Sequence, residues 1–153
     1  MAEPPSTDDA NVDLLGFTAV RADRDTKASG KSKGGGLIMY VNNRWCNPGH
    51  ISVKTVSCCR DLELLAVSLR PYYLPREFSH VITVCVYIPP RADARSHCLG
   101  DFFYNSELCH IQKYADDTAI VGCIREDREE EYRRLVGDFA AWCHTNHLQA
   151  HHL

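Results

Sequence analysis

Three apolar runs along the chain predict β-strands. They are LIMYV at residues 37–41, LELLAVSL at 62–69 and HVITVCVYI at 80–88. In the third run both alternating sets of side chains are largely apolar, which is typical of a strand covered on both faces. We therefore expect this run to lie inside a sheet. It ends at Pro89 and Pro90, which cannot continue a hydrogen-bond ladder.

A helical period follows in EDREEEYRRLVGDFAAWCHTNHL, residues 126–148. Its apolar face consists of Tyr132, Leu135, Val136, Phe139, Trp142 and Cys143. Asp127 and Glu130 have the spacing of a capping box, and the acid-rich first turn suits the positive end of the helix dipole. The pattern predicts an amphipathic helix whose apolar face packs on a core.

The stretch QKYADDTAIVG, residues 112–122, predicts a tight β-hairpin with two aspartates, Asp116 and Asp117, at its tip. Two carboxylates there can hold a divalent metal, because each offers oxygen ligands and the turn directs both outward. The alternative is a solvated turn, which is the commoner role of an Asp-Asp pair because Asp side chains bond nearby backbone amides. The hairpin by itself leaves both interpretations open.

The remaining segments lack periodicity. Residues 1–11 are polar and contain two prolines, so we expect disorder there. Residues 21–36, RADRDTKASGKSKGGG, are charged and glycine-rich, which predicts a mobile loop. The basic side chains of this loop are Arg21, Arg24, Lys27, Lys31 and Lys33. They are candidates for nucleic-acid contacts, although loops of this kind are usually only solvated.

Composition narrows the class of protein. With 153 residues and 44% apolar content, the chain is long enough for one domain with a core. A net charge of −3 provides no global basic field, so any nucleic-acid contact must be local. The chain has no apolar run of about twenty residues and no signal-peptide pattern. We expect a cytoplasmic or nuclear location, no membrane partner and free thiols on the eight cysteines.

Two parts of the chain resemble one family. LLGFTAVRADRDTKASGKSKGGGLIMYVNNRW and DLELLAVSLRPYYLPREFSHVITVCVYIPP resemble the endonuclease domain of non-LTR (LINE-type) retrotransposons over residues 12–93. That domain has the exonuclease–endonuclease–phosphatase fold, a four-layer α/β sandwich that cleaves DNA with a divalent metal. HIQKYADDTAIVGCIREDREEEYRRLVGDFAAWCHTNHLQ, residues 110–149, resembles the reverse transcriptase of the same elements around its Tyr-x-Asp-Asp (YADD) hairpin.

The resemblance assigns roles to three residues. Asp116 and Asp117 match the two catalytic positions of the polymerase hairpin, where a third carboxylate helps to hold two magnesium ions. Tyr87, in VYIPP, matches the active-site tyrosine of the endonuclease. The third palm carboxylate and the endonuclease's metal-binding glutamate, Asp-x-Asn pair and histidine have no counterpart here. The resemblance therefore implies catalytic remnants and an incomplete, weak magnesium site at Asp116 and Asp117.

These observations predict an α+β fold: a partial α/β-sandwich endonuclease sheet, then a reverse-transcriptase palm hairpin and one amphipathic helix. The predicted organisation is a disordered N-terminus at 1–11, a partial endonuclease-like region at 12–93, a junction at 94–110, a partial palm region at 111–149 and a tail at 150–153. Because strands of the parent sandwich are missing, we expect runs 62–69 and 80–88 to have unpaired edges.

The resemblance implies a truncated, retrotransposon-derived fragment. Its ancestry is RNA-directed DNA polymerase and DNA endonuclease, with magnesium as cofactor and nucleic acid as partner in the parent family. We expect the fragment to be inactive, with no functional cofactor of its own. The alternative is a retained nucleic-acid-binding or protein-interaction module, and an active RNA-directed DNA polymerase ranks last.

Overall fold

The computed structural model describes residues 13–30, 35–88, 107–114 and 117–145. Within these ranges the strands are β1 (Phe17–Asp23), β2 (Gly36–Asn42), β3 (Cys46–Cys58), β4 (Glu63–Pro71), β5 (Phe78–Tyr87), β6 (Cys109–Tyr114) and β7 (Asp117–Arg125). The helices are α1 (Thr26–Ser29) and α2 (Glu130–Thr145). This combination of sheet and helix agrees with the predicted α+β class.

The strands form two antiparallel sheets. β1 and β2 pair as a two-stranded sheet, and the other five strands follow the order β3-β4-β5-β7-β6. Runs 37–41, 62–69 and 80–88 form β2, β4 and β5, so these three strand predictions are confirmed. The antiparallel pairing of β6 with β7 confirms the hairpin predicted at 112–122.

The expectation of unpaired edges on β4 and β5 is wrong. β4 lies between β3 and β5, and β5 lies between β4 and β7. β7 pairs with β5 from Phe78↔Arg125 to Tyr87↔Asp117, and the ladder has one irregularity, at its Phe78 end. The backbone ladder accepts any extended segment whose side-chain pattern fits, and apolar positions of β7 continue the buried face of β5. The hairpin strand therefore closes the edge that was expected to be open.

Helix α2 packs its apolar face on the five-stranded sheet. Leu135 and Phe139 are buried against a core of residues from β4, β5 and β7. The sheet residues of this core include Leu64, Ala66, Ile82, Val84, Val86, Ile120 and Ile124. The predicted amphipathic helix is thus confirmed, and the sheet supplies the packing partner that its apolar face requires.

The start of α2 differs from the predicted capping box. Asp127 lies in a turn with φ 57° instead of the extended conformation of an N-cap. Its backbone N–H donates to Ser79 Oγ at 3.0 Å. The carbonyl of Glu129 accepts the first helical hydrogen bond, from Arg133 N at 2.8 Å. Glu129 therefore occupies the cap position, two residues later than the sequence pattern indicated.

The opposite face of the sheet is covered by β1 and β2. Leu65, Val67 and Leu69 of β4 form a second buried core with Val20 and Val41 of the two-stranded sheet. Alternation explains the division, because odd and even positions of β4 point to opposite faces. The five-stranded sheet is therefore the middle of three layers.

Part of the predicted mobile loop is regular structure. Residues 21–23 belong to β1, and the Asp25 side chain caps α1 by accepting from Lys27 N and Ala28 N. Gly30 ends α1 with φ 65°, a left-handed conformation that favours glycine. Residues 31–34, the predicted disordered residues 1–11 and most of the predicted junction lie outside the described residues. Neither helix in the described part has the length and apolar content of a membrane span.

Candidate functional site

Two of the three residues to which the resemblance assigns catalytic roles are neighbours in the sheet. Tyr87 is the last residue of β5, Asp117 is the first residue of β7, and the register makes them direct cross-strand partners. Directly opposed residues of an antiparallel pair have Cα atoms about 4.5–5.5 Å apart. Tyr87 and Asp117 lie in separate segments of the sequence, so their proximity was not predicted. Asp116 lies outside the described residues, and only the backbone placement of Asp117 is described.

A buried carboxylate stands on the other side of Tyr87. Glu63 of β4 is the partner of Tyr87 in the β4–β5 register and is only 3% exposed. Its Oε1 accepts a hydrogen bond from Arg24 Nε in a buried ion pair. Its Oε2 has no hydrogen-bond partner among the residues that the structure describes. Glu63 was not predicted as a site residue, although a carboxylate inside the apolar run at 62–69 could have indicated it.

The two described arginines of the predicted nucleic-acid-binding set make ion pairs within the chain. The Arg24 side chain is 10% exposed and is held by Glu63. The Arg21 guanidinium lies 2.9 Å from Asp23 Oδ1. Lys31 and Lys33 lie outside the described residues. Burial of Arg24 fits a structural role, whereas the contact of this segment with nucleic acid stays a prediction.

The described residues do not fit a magnesium site. Magnesium requires several oxygen ligands in octahedral geometry. The Glu63 carboxylate, which lies beside Tyr87 in the sheet register, forms an ion pair with Arg24. Across the described ranges, no group of three or more His, Cys, Asp or Glu side chains is arranged to hold a metal ion. Metal binding by Asp116 and Asp117 therefore stays a prediction, and no chemical step is derived through it.

A second polar cluster lies where β5 meets the start of α2. His80 Nε2 is 3.2 Å from Glu129 Oε1, and His80 Nδ1 is 3.0 Å from Ser79 Oγ. Serine, histidine and a carboxylate are the groups of a nucleophilic triad. Here, however, Ser79 Oγ also lies 3.2 Å from the carbonyl oxygen of Ile124 and accepts from Asp127 N. The Ser79 hydroxyl is therefore hydrogen-bonded to the turn before α2, and the cluster attaches the start of the helix to β5.

Glu129 is the electrostatic centre of this cluster. Its Oε1 accepts from Lys54 Nζ at 3.0 Å as well as lying near His80, and Arg133 is 3.6 Å from Oε2. Burial acts to raise the pKa of the Glu129 carboxyl, but the hydrogen bonds and positive charge of Lys54 and His80 outweigh it, so the pKa is lowered. The cap residue of α2 is therefore tied to both β3 and β5.

A cavity of about 510 Å³ opens beside the first turn of α2. We call it the arginine groove, and its lining residues are Leu108, Arg125, Arg128, Glu130, Glu131 and Arg134. The three arginines are exposed. The Arg125 guanidinium stacks over the Phe78 ring at 5.5 Å from the ring centre. The charged start of residues 126–148 was interpreted only as the beginning of a helix, because the sequence does not show that charges on separate elements converge.

A comparison with protein-family models, curated proteins and solved structures found no match to this chain.

Proposed function

We propose that this chain is a fragment derived from a non-LTR retrotransposon that is catalytically incomplete as a nuclease and as a polymerase. The observation that carries the proposal is the β5–β7 ladder, which ends at the Tyr87↔Asp117 pair. It explains how strands that resemble an endonuclease stay buried after the loss of their neighbours, because the strand that resembles a palm hairpin pairs with them. Six described cysteines are free thiols, which fits a cytoplasmic or nuclear location.

The donor set of the described residues supports the proposed catalytic incompleteness. Phosphodiester hydrolysis and nucleotide transfer both need carboxylates placed around metal ions. On the β4 side of Tyr87 the carboxylate belongs to Glu63, and Arg24 neutralises it. Tyr87 by itself cannot position a metal, and two adjacent aspartates leave a magnesium ion largely hydrated.

Two assays test this proposal on the full chain. Supercoiled plasmid with magnesium reports nicking, and a primed template with deoxynucleotides reports extension. We expect no product from the wild type, from Tyr87→Phe or from the double variant Asp116→Asn, Asp117→Asn. Template-dependent extension that disappears in the double variant, or nicking that disappears in Tyr87→Phe, would overturn the proposal.

A second candidate function is a retained nucleic-acid-binding module. The arginine groove favours it, since it brings three guanidinium groups from β7, the following turn and α2 to one cavity. The basic loop at 21–36 gives it less support, because Arg24 is buried against Glu63.

A further inference from the structure

We propose that the arginine groove binds a phosphate ester, carried either by a free nucleotide or by a single-stranded nucleic acid. This proposal rests on the second candidate function above and names the ligand class and the side chains that bind it. It holds whether or not the chain derives from a retrotransposon.

The guanidinium groups supply the phosphate contacts. Arginine presents a planar fork of N–H donors that matches two phosphate oxygens at once. Stacking over Phe78 orients Arg125, which reduces the freedom that it loses on binding. Arg128 is paired with Glu126 at 3.0 Å, but both side chains are more than 60% exposed, at 62% and 71%. Such exposed pairs are weak, so a phosphate can displace Glu126 from Arg128.

The position of the groove adds to the attraction. Glu130 and Glu131 of its lining begin α2, a helix of 16 residues whose positive end lies there. Helix dipoles favour negative charge at this end. The helix dipole adds to the attraction for phosphate, but the cavity and its three arginines define the site.

The two carboxylates of the lining narrow the ligand class. Glu130 and Glu131 disfavour a small, highly charged anion, and they accept hydrogen bonds from hydroxyl or amino groups. Leu108 provides an apolar wall. A volume of about 510 Å³ lies within the range of small-molecule sites, about 300–1,000 Å³. A phosphate that carries a sugar and a base fits this lining better than orthophosphate does.

The test measures binding of a fluorescein-labelled oligouridylate to the full chain by anisotropy, with adenosine monophosphate and orthophosphate as competitors. The groove variant is Arg128→Gln with Arg134→Gln. The matched control is Arg76→Gln with Arg133→Gln, which removes the same charge from exposed positions outside the lining. Circular dichroism and thermal melting verify that both variants fold as the wild type does.

We expect the groove variant to bind the oligonucleotide about tenfold or more weakly, while the control changes less than about twofold. The slope of log affinity against log salt should decrease by about 1.4 in the groove variant, because each phosphate contact on a single strand contributes roughly 0.7. Competition by adenosine monophosphate would identify a nucleotide site, and its absence would identify a polynucleotide site. Both support the proposal.

Three results would overturn it. One is the absence at low salt of binding to both the oligonucleotide and a fluorescently labelled adenosine monophosphate. Another is an equal loss in the groove and control variants, which would indicate general electrostatic attraction. The third is competition by orthophosphate as effective as that by adenosine monophosphate, which would exclude an ester-specific site. None of these results depends on catalysis, so the ancestry proposal stands or fails separately in the nicking and extension assays.

Discussion

The two faces of the five-stranded sheet are covered by different parts of the chain. On one face α2 packs Leu135 and Phe139 against strands β4, β5 and β7. On the other face the β1–β2 sheet packs Val20 and Val41 chiefly against β4. There the outward positions of β5 and β7, such as Cys85 and Val121, are half-buried.

This difference shows what holds the chain together. The helix face joins strands that lie before residue 88 to the hairpin strand that lies after residue 107, so it makes one core from both. The buried core on the opposite face consists of described residues that precede β5. The β1–β2 sheet shares no backbone ladder with the larger sheet, so side-chain packing and the Arg24–Glu63 pair attach it. We expect the helix face to control global unfolding and the other face to open locally.

Phe139→Ala should have the largest effect on the helix face. Phe139 is 1% exposed, and deletion of a buried phenyl ring costs about 3–5 kcal/mol of unfolding free energy. Urea unfolding followed by circular dichroism measures the loss. Asp138→Ala, an exposed neighbour on the same helix, should change the stability by less than about 0.5 kcal/mol. A loss below about 1 kcal/mol for Phe139→Ala would contradict the central role of this face.

Val20→Ala should have a smaller and more local effect. It removes two buried carbon atoms from β1, which costs about 1.6 kcal/mol at about 0.8 kcal/mol each. Amide hydrogen exchange should accelerate in β1 and β2 but not in β5, since no backbone ladder joins the two sheets in the described part of the chain. Equal acceleration in β5 would show that the two faces unfold together, and the proposed difference between them would be wrong.

The loss of unfolding free energy at acid pH should be the smallest of the three effects. The pKa of Glu129 is lowered below 4.5 in the folded chain, so its contribution is fully present above its unfolded value and is lost as the pH falls through the folded value. Lys54 is 40% exposed, so the loss is at most about 1 kcal/mol. Glu129→Gln should flatten the stability profile below pH 4.5, as measured by urea unfolding across pH. The control Glu130→Gln should retain most of the slope.

Apolar patterning predicted the helix and the strands that contain continuous apolar runs, but it did not predict β1 and β3. β2, β4, β5 and α2 carry continuous or periodic apolar residues, which the sequence displays directly. β3 was missed because it is an edge strand, includes Pro48 and Gly49, and buries few of its 13 residues. β1 was not predicted, and its second half was assigned to the charged loop at 21–36. Edge strands bury less apolar surface, so they leave a weaker signal.

The candidate site was less predictable than the fold. The hairpin with Asp117 was visible in the sequence, but its pairing with Tyr87 depends on a register between distant segments. Arg24 looked like a solvated loop cation because it stands in a charged, glycine-rich segment, whereas its partner Glu63 is 39 positions away. The convergence of three arginines on one cavity depends in the same way on the packing of α2. Local sequence encodes propensity, but such long-range juxtapositions come from tertiary structure.

The Arg24–Glu63 pair also constrains how this chain can vary over generations. Loss of Arg24 leaves the buried Glu63 carboxylate without its cation, which costs about 3–5 kcal/mol, whereas joint replacement of a buried pair by apolar residues is often neutral or stabilising. Loss of Arg24 alone is therefore a deleterious intermediate on the way to a tolerated double substitution. The two codons lie far apart in the gene, yet divergent copies that have lost Arg24 should also have lost Glu63.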